Sequence, residues 1–155
     1  FTGRTDVKLK IKTSRKFHSD NEIQYIKSAI EHCRMGINLQ HYPEVELITD
    51  KLSIGDMFKL HANSDCFVLP HRAEGVGLPC MEAMAMGKPV IATNYSGTQE
   101  YMSEGNSFPI KYTLSPICNM ENLSGFYPGT LWWAEADLFE LSQKMKCAVN
   151  NHEYD

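Results

Sequence analysis

The chain has 155 residues, 43% of them hydrophobic and 22% charged, with a formal net charge of −4. That length and balance suit one soluble globular domain with a sizeable core. The acidic excess argues against a nucleic-acid binder, which carries a basic face. Apolar runs are short, such as Cys66-Phe-Val-Leu-Pro70, far below the ~20 residues of a membrane span, so no transmembrane segment is expected.

Phe1-Thr-Gly-Arg-Thr-Asp6 is polar and does not start with Met, so the chain reads as a fragment or a processed piece without a signal peptide. The 5 cysteines (Cys33, Cys66, Cys80, Cys118 and Cys147) form no Cys-x-x-Cys pair. They are expected as reduced thiols in a reducing compartment, the cytoplasm. The 6 histidines are scattered without metal-ligand spacing, so no metal site is expected.

Val7-Lys-Leu-Lys-Ile11 alternates apolar and polar residues and predicts a strand. Ser19-Asp-Asn-Glu22 is a capping box, opening a helix whose face carries Ile23, Ile26, Ile30 and Cys33 and which Gly36 stops. A short strand follows at Val45–Ile48. Ser53 caps the next helix, with Asp56 in its first turn and Met57, Leu60 and His61 or Ser64 at helical spacing. Cys66–Leu69 is a continuous apolar run of the kind found in parallel strands covered on both faces.

After the glycine-rich stretch Glu74-Gly-Val-Gly-Leu-Pro79, Met81–Met86 reads as a helix that Gly87 ends. Val90–Thr93 is another buried-type strand, Asn94–Gly97 a loop, and Thr98–Met102 a short helix. Residues 106–129 hold Pro109, Pro116, Pro128, Gly125 and Gly129 and read as irregular loops or short strands. Order returns at Trp132–Asp137, and a helix follows to about Val149. The alternation of strand and helix predicts a doubly wound, mostly parallel α/β sheet. Ligands of such sheets bind beyond the carboxyl ends of strands, where the 74–79 loop falls.

Gly75 and Gly77 let backbone approach a ligand. Pro79 suits the first helical position, and amides at a helix N-terminus favour anions such as phosphate. Glu82, expected in the first helical turn, is placed to accept from a pair of hydroxyls such as a ribose diol. Glu74 lies across the bound anion from it. A nucleoside diphosphate sugar has this layout. A purely structural turn, with Glu82 as a dipole partner, also fits. The dinucleotide fingerprint Gly-x-Gly-x-x-Gly fails, because Cys80 stands at the third glycine, and with it a dinucleotide oxidoreductase.

The stretch Glu74–Gly97, EGVGLPCMEAMAMGKPVIATNYSG, resembles the donor-site motif of retaining glycosyltransferases with the GT-B fold, in particular glycosyltransferase family 4. The two glutamates separated by seven residues match Glu74 and Glu82, with Val76 where the family has Phe. The flanks agree: Leu52-Ser53, Phe58, Ser64-Asp65 and Phe67-Val-Leu-Pro70 before, and Gly97-Thr-Gln-Glu100 after. Trp133-Ala-Glu-Ala-Asp137 is similar to a family segment with Pro at the place of Ala136.

The resemblance implies one Rossmann-like half of the GT-B fold: a partial C-terminal nucleotide-sugar-binding domain over 1–155, lacking its first strand and helix and the N-terminal acceptor domain. The family's Gly-Arg segment and diphosphate lysine have no counterpart, since Gly3-Arg4 stands in another context. The implied roles are Glu82 on the ribose, Glu74 at the transferred sugar and reacting centre, Gly77 and Leu78 giving amides to the phosphates, and Gly75 and Val76 lining the sugar. The resemblance implies a nucleoside diphosphate sugar as donor substrate, no cofactor and no strict need for metal. It implies a sugar, lipid or other hydroxyl acceptor bound by the missing domain, where any membrane association would also reside. The segment alone is then expected not to turn over. A non-catalytic nucleotide-sugar-binding module, a sugar-nucleotide epimerase or a phosphorylase are the alternatives. Lys12 is more simply a solvated strand-end residue than a phosphate contact. Arg72 reads as a surface residue, and Trp132, Trp133 and Phe139 as packing residues.

Overall fold

The computed structural model describes residues 1, 3–13, 20–117 and 131–150. The chain divides into two compact units, Phe1–Ser53 and Ile54–Asp155.

In the first unit, strand β1 (Lys8–Lys12) pairs in parallel with β2 (Glu44–Ile48), Leu9 opposite Val45 and Ile11 opposite Leu47. Parallel neighbours need a crossover, which helix α1 (Asp20–Ile37) supplies. Lys8 Nζ lies 2.6 Å from Glu44 and 3.6 Å from Glu46 on the open face of the pair. Arg4 is engaged by Asp6. Ser19, the expected cap of α1, falls outside the described residues, while Asp20 and Glu22 sit in the first turn, where the helix dipole favours acids.

Gly36 does not stop α1. The helix runs on to Ile37, and Asn38 takes the left-handed conformation (φ 49°) that ends it, a role Asn fills where Gly is absent. The Asn38 N–H donates to Arg34 O at 3.0 Å. The Tyr42 hydroxyl donates to the same carbonyl and accepts from Leu39 N–H at 2.9 Å, with the Arg34 guanidinium over its ring. The helix end is thus tied by a tyrosine five residues beyond it.

The second unit contains α2 (Ile54–Ala62), β3 (Phe67–Leu69), α3 (Leu78–Ala85), β4 (Val90–Thr93), a 3₁₀ turn (Ser96–Glu100), β5 (Phe108–Ile110), β6 (Tyr112–Pro116), β7 (Trp132–Ala136) and α4 (Leu138–Asn150). The parallel sheet runs β3-β4-β5, and β6 and β7 pair antiparallel. All four residues of β4 are fully buried, as a central strand covered on both faces must be. Cys80, Ala83, Val90, Ala92 and Met102 form the core, with Phe67, Leu69, Met84 and Tyr101 packed on it. The expected α/β class with parallel ladders therefore holds.

The stretch read as irregular between 106 and 117 carries two strands. Pro109 sits in β5, which pairs only with β4 in this sheet, and an edge strand tolerates the missing N–H. Residues 118–129 lie outside the described set. Helix α4 is capped by Asp137, whose Oδ1 accepts from Glu140 N–H at 2.9 Å, while Glu140 in turn accepts from Lys111 N–H at 2.7 Å. Two residues expected as packing are not: Trp132 is 54% and Phe139 75% exposed. Neighbours along a strand face opposite ways, so Trp133 turns inward while Trp132 faces out.

Candidate functional site

The chain leaves β3 at Leu69, and His71 turns it. The His71 backbone N–H donates to Leu69 O (2.9 Å), and its buried imidazole spans from Leu69 O (3.2 Å at Nδ1) to Tyr95 O (3.0 Å at Nε2). The imidazole thereby links the loops that follow β3 and β4. Arg72 is indeed a surface residue, but a fastened one. Its guanidinium lies 4.2 Å over the Trp133 ring and 2.9 Å from Glu135, and its carbonyl accepts from Ala134 N–H at 2.9 Å.

Glycine placement then decides the loop's shape. Glu74 O accepts from Gly97 N–H at 3.1 Å and from the Ser96 hydroxyl. A Cβ on Gly97 would lie 1.9 Å from Gly75 O, so the 74–77 loop rests directly on the backbone of the 3₁₀ turn. Gly77 is buried in the left-handed conformation (φ 75°), with Tyr101 Oη only 2.8 Å from where its Cβ would stand. The Tyr101 hydroxyl lies 2.9 Å from Val76 O and 3.1 Å from Gly77 O, the two carbonyls it serves.

Gly77 is the N-cap of α3, with Leu78 the first helical residue and Pro79 the second. Cys80 and Met81 N–H both fold back on Gly77 O (2.9 and 3.3 Å), and Pro79 has no N–H. Among the described residues the N–H groups of Gly77 and Leu78 meet no acceptor, which leaves two amides at the positive end of the helix. The side chains of Val76 and Leu78 are 53% and 63% exposed beside them. Gly75 has open space where a Cβ would be.

Glu82 is not in the first turn as expected. Because α3 begins at Leu78, Glu82 belongs to its second turn, beyond the reach of the helix dipole. A dipole partnership does not account for it. The Glu82 carboxylate faces His61 on α2, with Oε2 3.8 Å from Nε2. The charge of Glu74 acts on Cys80 and Tyr101. Burial, opposed by the Tyr101 hydrogen bond and aided by Glu74, pushes the Cys80 thiol up to about 11. Burial together with Cys80 and Glu74 pushes Tyr101 up to about 12.

His61 was not legible as a site residue: in sequence it is one more member of a helical stripe. Lys12 belongs to β1 in the first unit. Among the described residues no group of three His, Cys, Asp or Glu side chains is placed to hold a metal, and no helix is long and apolar enough to cross a membrane.

A parallel sheet whose strand β3 leads through a glycine loop into helix α3 defines a protein of the α/β class. Residues 21–124 match the family described as glycosyl transferases group 1, and the chain belongs to that family. It is 30% identical over 95 residues to a sucrose synthase of Acidithiobacillus caldus, covering 61% of this chain and 12% of that protein. It is 32% identical over 76 residues to the D-inositol 3-phosphate glycosyltransferase of Paenarthrobacter aurescens, covering 45% of this chain and 19% of the relative. An uncharacterized glycosyltransferase of Methanocaldococcus jannaschii is 36% identical over 76 residues, covering 49% of this chain and 20% of that protein. The matched segments thus span a fifth or less of each relative.

Proposed function

We propose that the loop and helix from Glu74 to Glu82 form the donor site of a retaining glycosyltransferase of family 4, taking a nucleoside diphosphate sugar and passing its hexosyl group to an acceptor hydroxyl. The observation that carries this reading is the pair of open amides, Gly77 and Leu78, set between the two glutamates in a chain of the group 1 family. Those amides receive the diphosphate. Glu82 accepts from the ribose hydroxyls, Glu74 meets the transferred sugar, and Gly75 and Val76 line it.

In this mechanism the bond from the anomeric carbon to the diphosphate breaks and a bond to the acceptor oxygen forms on the same face. The leaving phosphate oxygen takes the acceptor's proton, so no separate base is required. Negative charge grows on the diphosphate as it leaves, and amides fixed at a helix N-terminus stabilise charge where it develops. The acceptor, a sugar, lipid or other hydroxyl compound, is held by parts of the protein beyond this segment. A cytoplasmic setting suits such a donor.

Calorimetry of the full-length protein with UDP-glucose, GDP-mannose and ADP-glucose tests the reading. One donor binds the wild type. Glu82→Ala abolishes that binding, whereas Glu74→Gln keeps it and loses transfer. A Glu82→Ala protein with unchanged donor affinity refutes the ribose role.

A further inference from the structure

We propose that His61 is a positioning residue for Glu82, its buried Nε2–H aiming the carboxylate at the nucleotide's ribose hydroxyls; this rests on the donor-site reading above. His61 lies in the last turn of α2 and is 4% exposed, and its Nε2 has no hydrogen-bond partner among the described residues. Its ring is fixed in place, tilted against Phe67 with centroids 5.2 Å apart. The end of α2 is tied to the segment between α3 and β4 by Lys88 Nζ, which donates to Ala62 O at 2.9 Å. The imidazole is therefore a fixed point and Glu82 the movable partner, with a side chain 42% exposed.

A buried ring nitrogen without a partner is costly, and native structures rarely leave one. Glu82 Oε2 at 3.8 Å is the acceptor in view. A carboxylate swing of about 1 Å brings the pair to the roughly 2.7–3.2 Å of an N–H···O bond. A carboxylate offers about four lone-pair directions. His61 takes one from the protein side, and those facing outward are left for two hydroxyls. Anchoring one oxygen also removes rotamer freedom that binding would otherwise have to remove. The neutral Nε2–H tautomer suffices.

The test uses the full-length protein, calorimetry with UDP, GDP and ADP, and the 2′-deoxy form of whichever binds. His61→Phe keeps a ring against Phe67 but removes the donor. It is expected to weaken the ribonucleotide about tenfold, the loss of one hydrogen bond to a charged group, and the 2′-deoxynucleotide, which keeps only one of the two hydroxyls, by clearly less. His61→Gln, which restores an N–H, is expected to recover most of the ribonucleotide affinity. Equal weakening of both nucleotides, or no weakening of either, overturns the proposal and makes His61 a packing residue. If His61→Phe is unfolded by circular dichroism, His61→Met carries the same comparison. If the wild type binds none of the three nucleotides, the donor-site reading itself falls, and this role with it.

Discussion

Gly97 and Gly75 touch backbone to backbone: a single methyl on Gly97 would stand 1.9 Å from the Gly75 carbonyl oxygen and 2.6 Å from its carbon. No side-chain rotation relieves that contact, so Gly97→Ala must displace the loop that carries Glu74. Overpacking of this kind costs about 1–3 kcal/mol, which lowers Tm by roughly 2–10 °C in a chain of this size. Gly75→Ala is the control, because open space surrounds its Cβ position and its φ is not positive. Thermal melts of the two variants should separate clearly, and equal melting temperatures would refute the direct-contact account.

Tyr101 presents one hydroxyl to two carbonyls, Val76 O and Gly77 O, at 2.9 and 3.1 Å. Tyr101→Phe removes those contacts while keeping the ring packed on the core. The expected loss is about 0.5–1.5 kcal/mol of stability. Because the two peptides belong to the loop that presents the open amides, we also expect weaker nucleotide diphosphate binding than in the wild type. A variant that binds as tightly as the wild type would mean that the loop's other ties, such as those from Ser96 and Gly97 to Glu74 O, hold it without the Tyr101 hydroxyl.

Cys66, Cys80 and Tyr101 make stability fall at alkaline pH. Cys66 and Cys80 are raised from 9.0 to about 11, in both cases chiefly by burial, and Tyr101 from 10.0 to about 12. Each group is neutral when protonated, and folding favours that form. Above about pH 9 the unfolded chain releases protons that the folded chain retains, so stability declines with rising pH. The contribution is complete below pH 9 and is lost through pH 11 to 12. Melts between pH 8 and 11 should show this decline, and Cys80→Ala should flatten its lower part. At pH 8 a maleimide should label exposed Cys33 well before Cys80.

How much of this was legible depended on whether a residue acts along the chain or across it. The β3–loop–α3–β4 unit was readable because apolar runs, two glycines and a proline are local signals. The end of α1 was misplaced by two residues, since Gly36 is the stronger local stop and the actual anchor, Tyr42, works from outside the helix. The shift of Glu82 out of the first turn followed from Leu78 preceding Pro79 in the helix, a one-residue difference that sequence seldom resolves. Gly97 read as a loop residue, but its contact with Gly75 depends on two loops meeting. His61 was hidden for the same reason: its partner lies on another helix.

Arg72 and Trp133 supply the last prediction. The guanidinium sits 4.2 Å over the indole and 2.9 Å from Glu135, while the Arg72 carbonyl ties the loop to β7 through Ala134. A cation–π contact at a partly exposed site contributes about 0.5–1 kcal/mol, and an exposed ion pair about 0–1 kcal/mol. Arg72→Ala should therefore cost roughly 1 kcal/mol, the backbone hydrogen bond being kept. Arg72→Lys should recover little of it, because an ammonium neither stacks on the indole nor reaches Glu135 in the same plane. Uncovering Trp133 should also shift tryptophan emission to the red in Arg72→Ala, while Glu135→Gln leaves the emission unchanged. A red shift of equal size in both variants would assign the effect to the ion pair rather than to the stacked guanidinium.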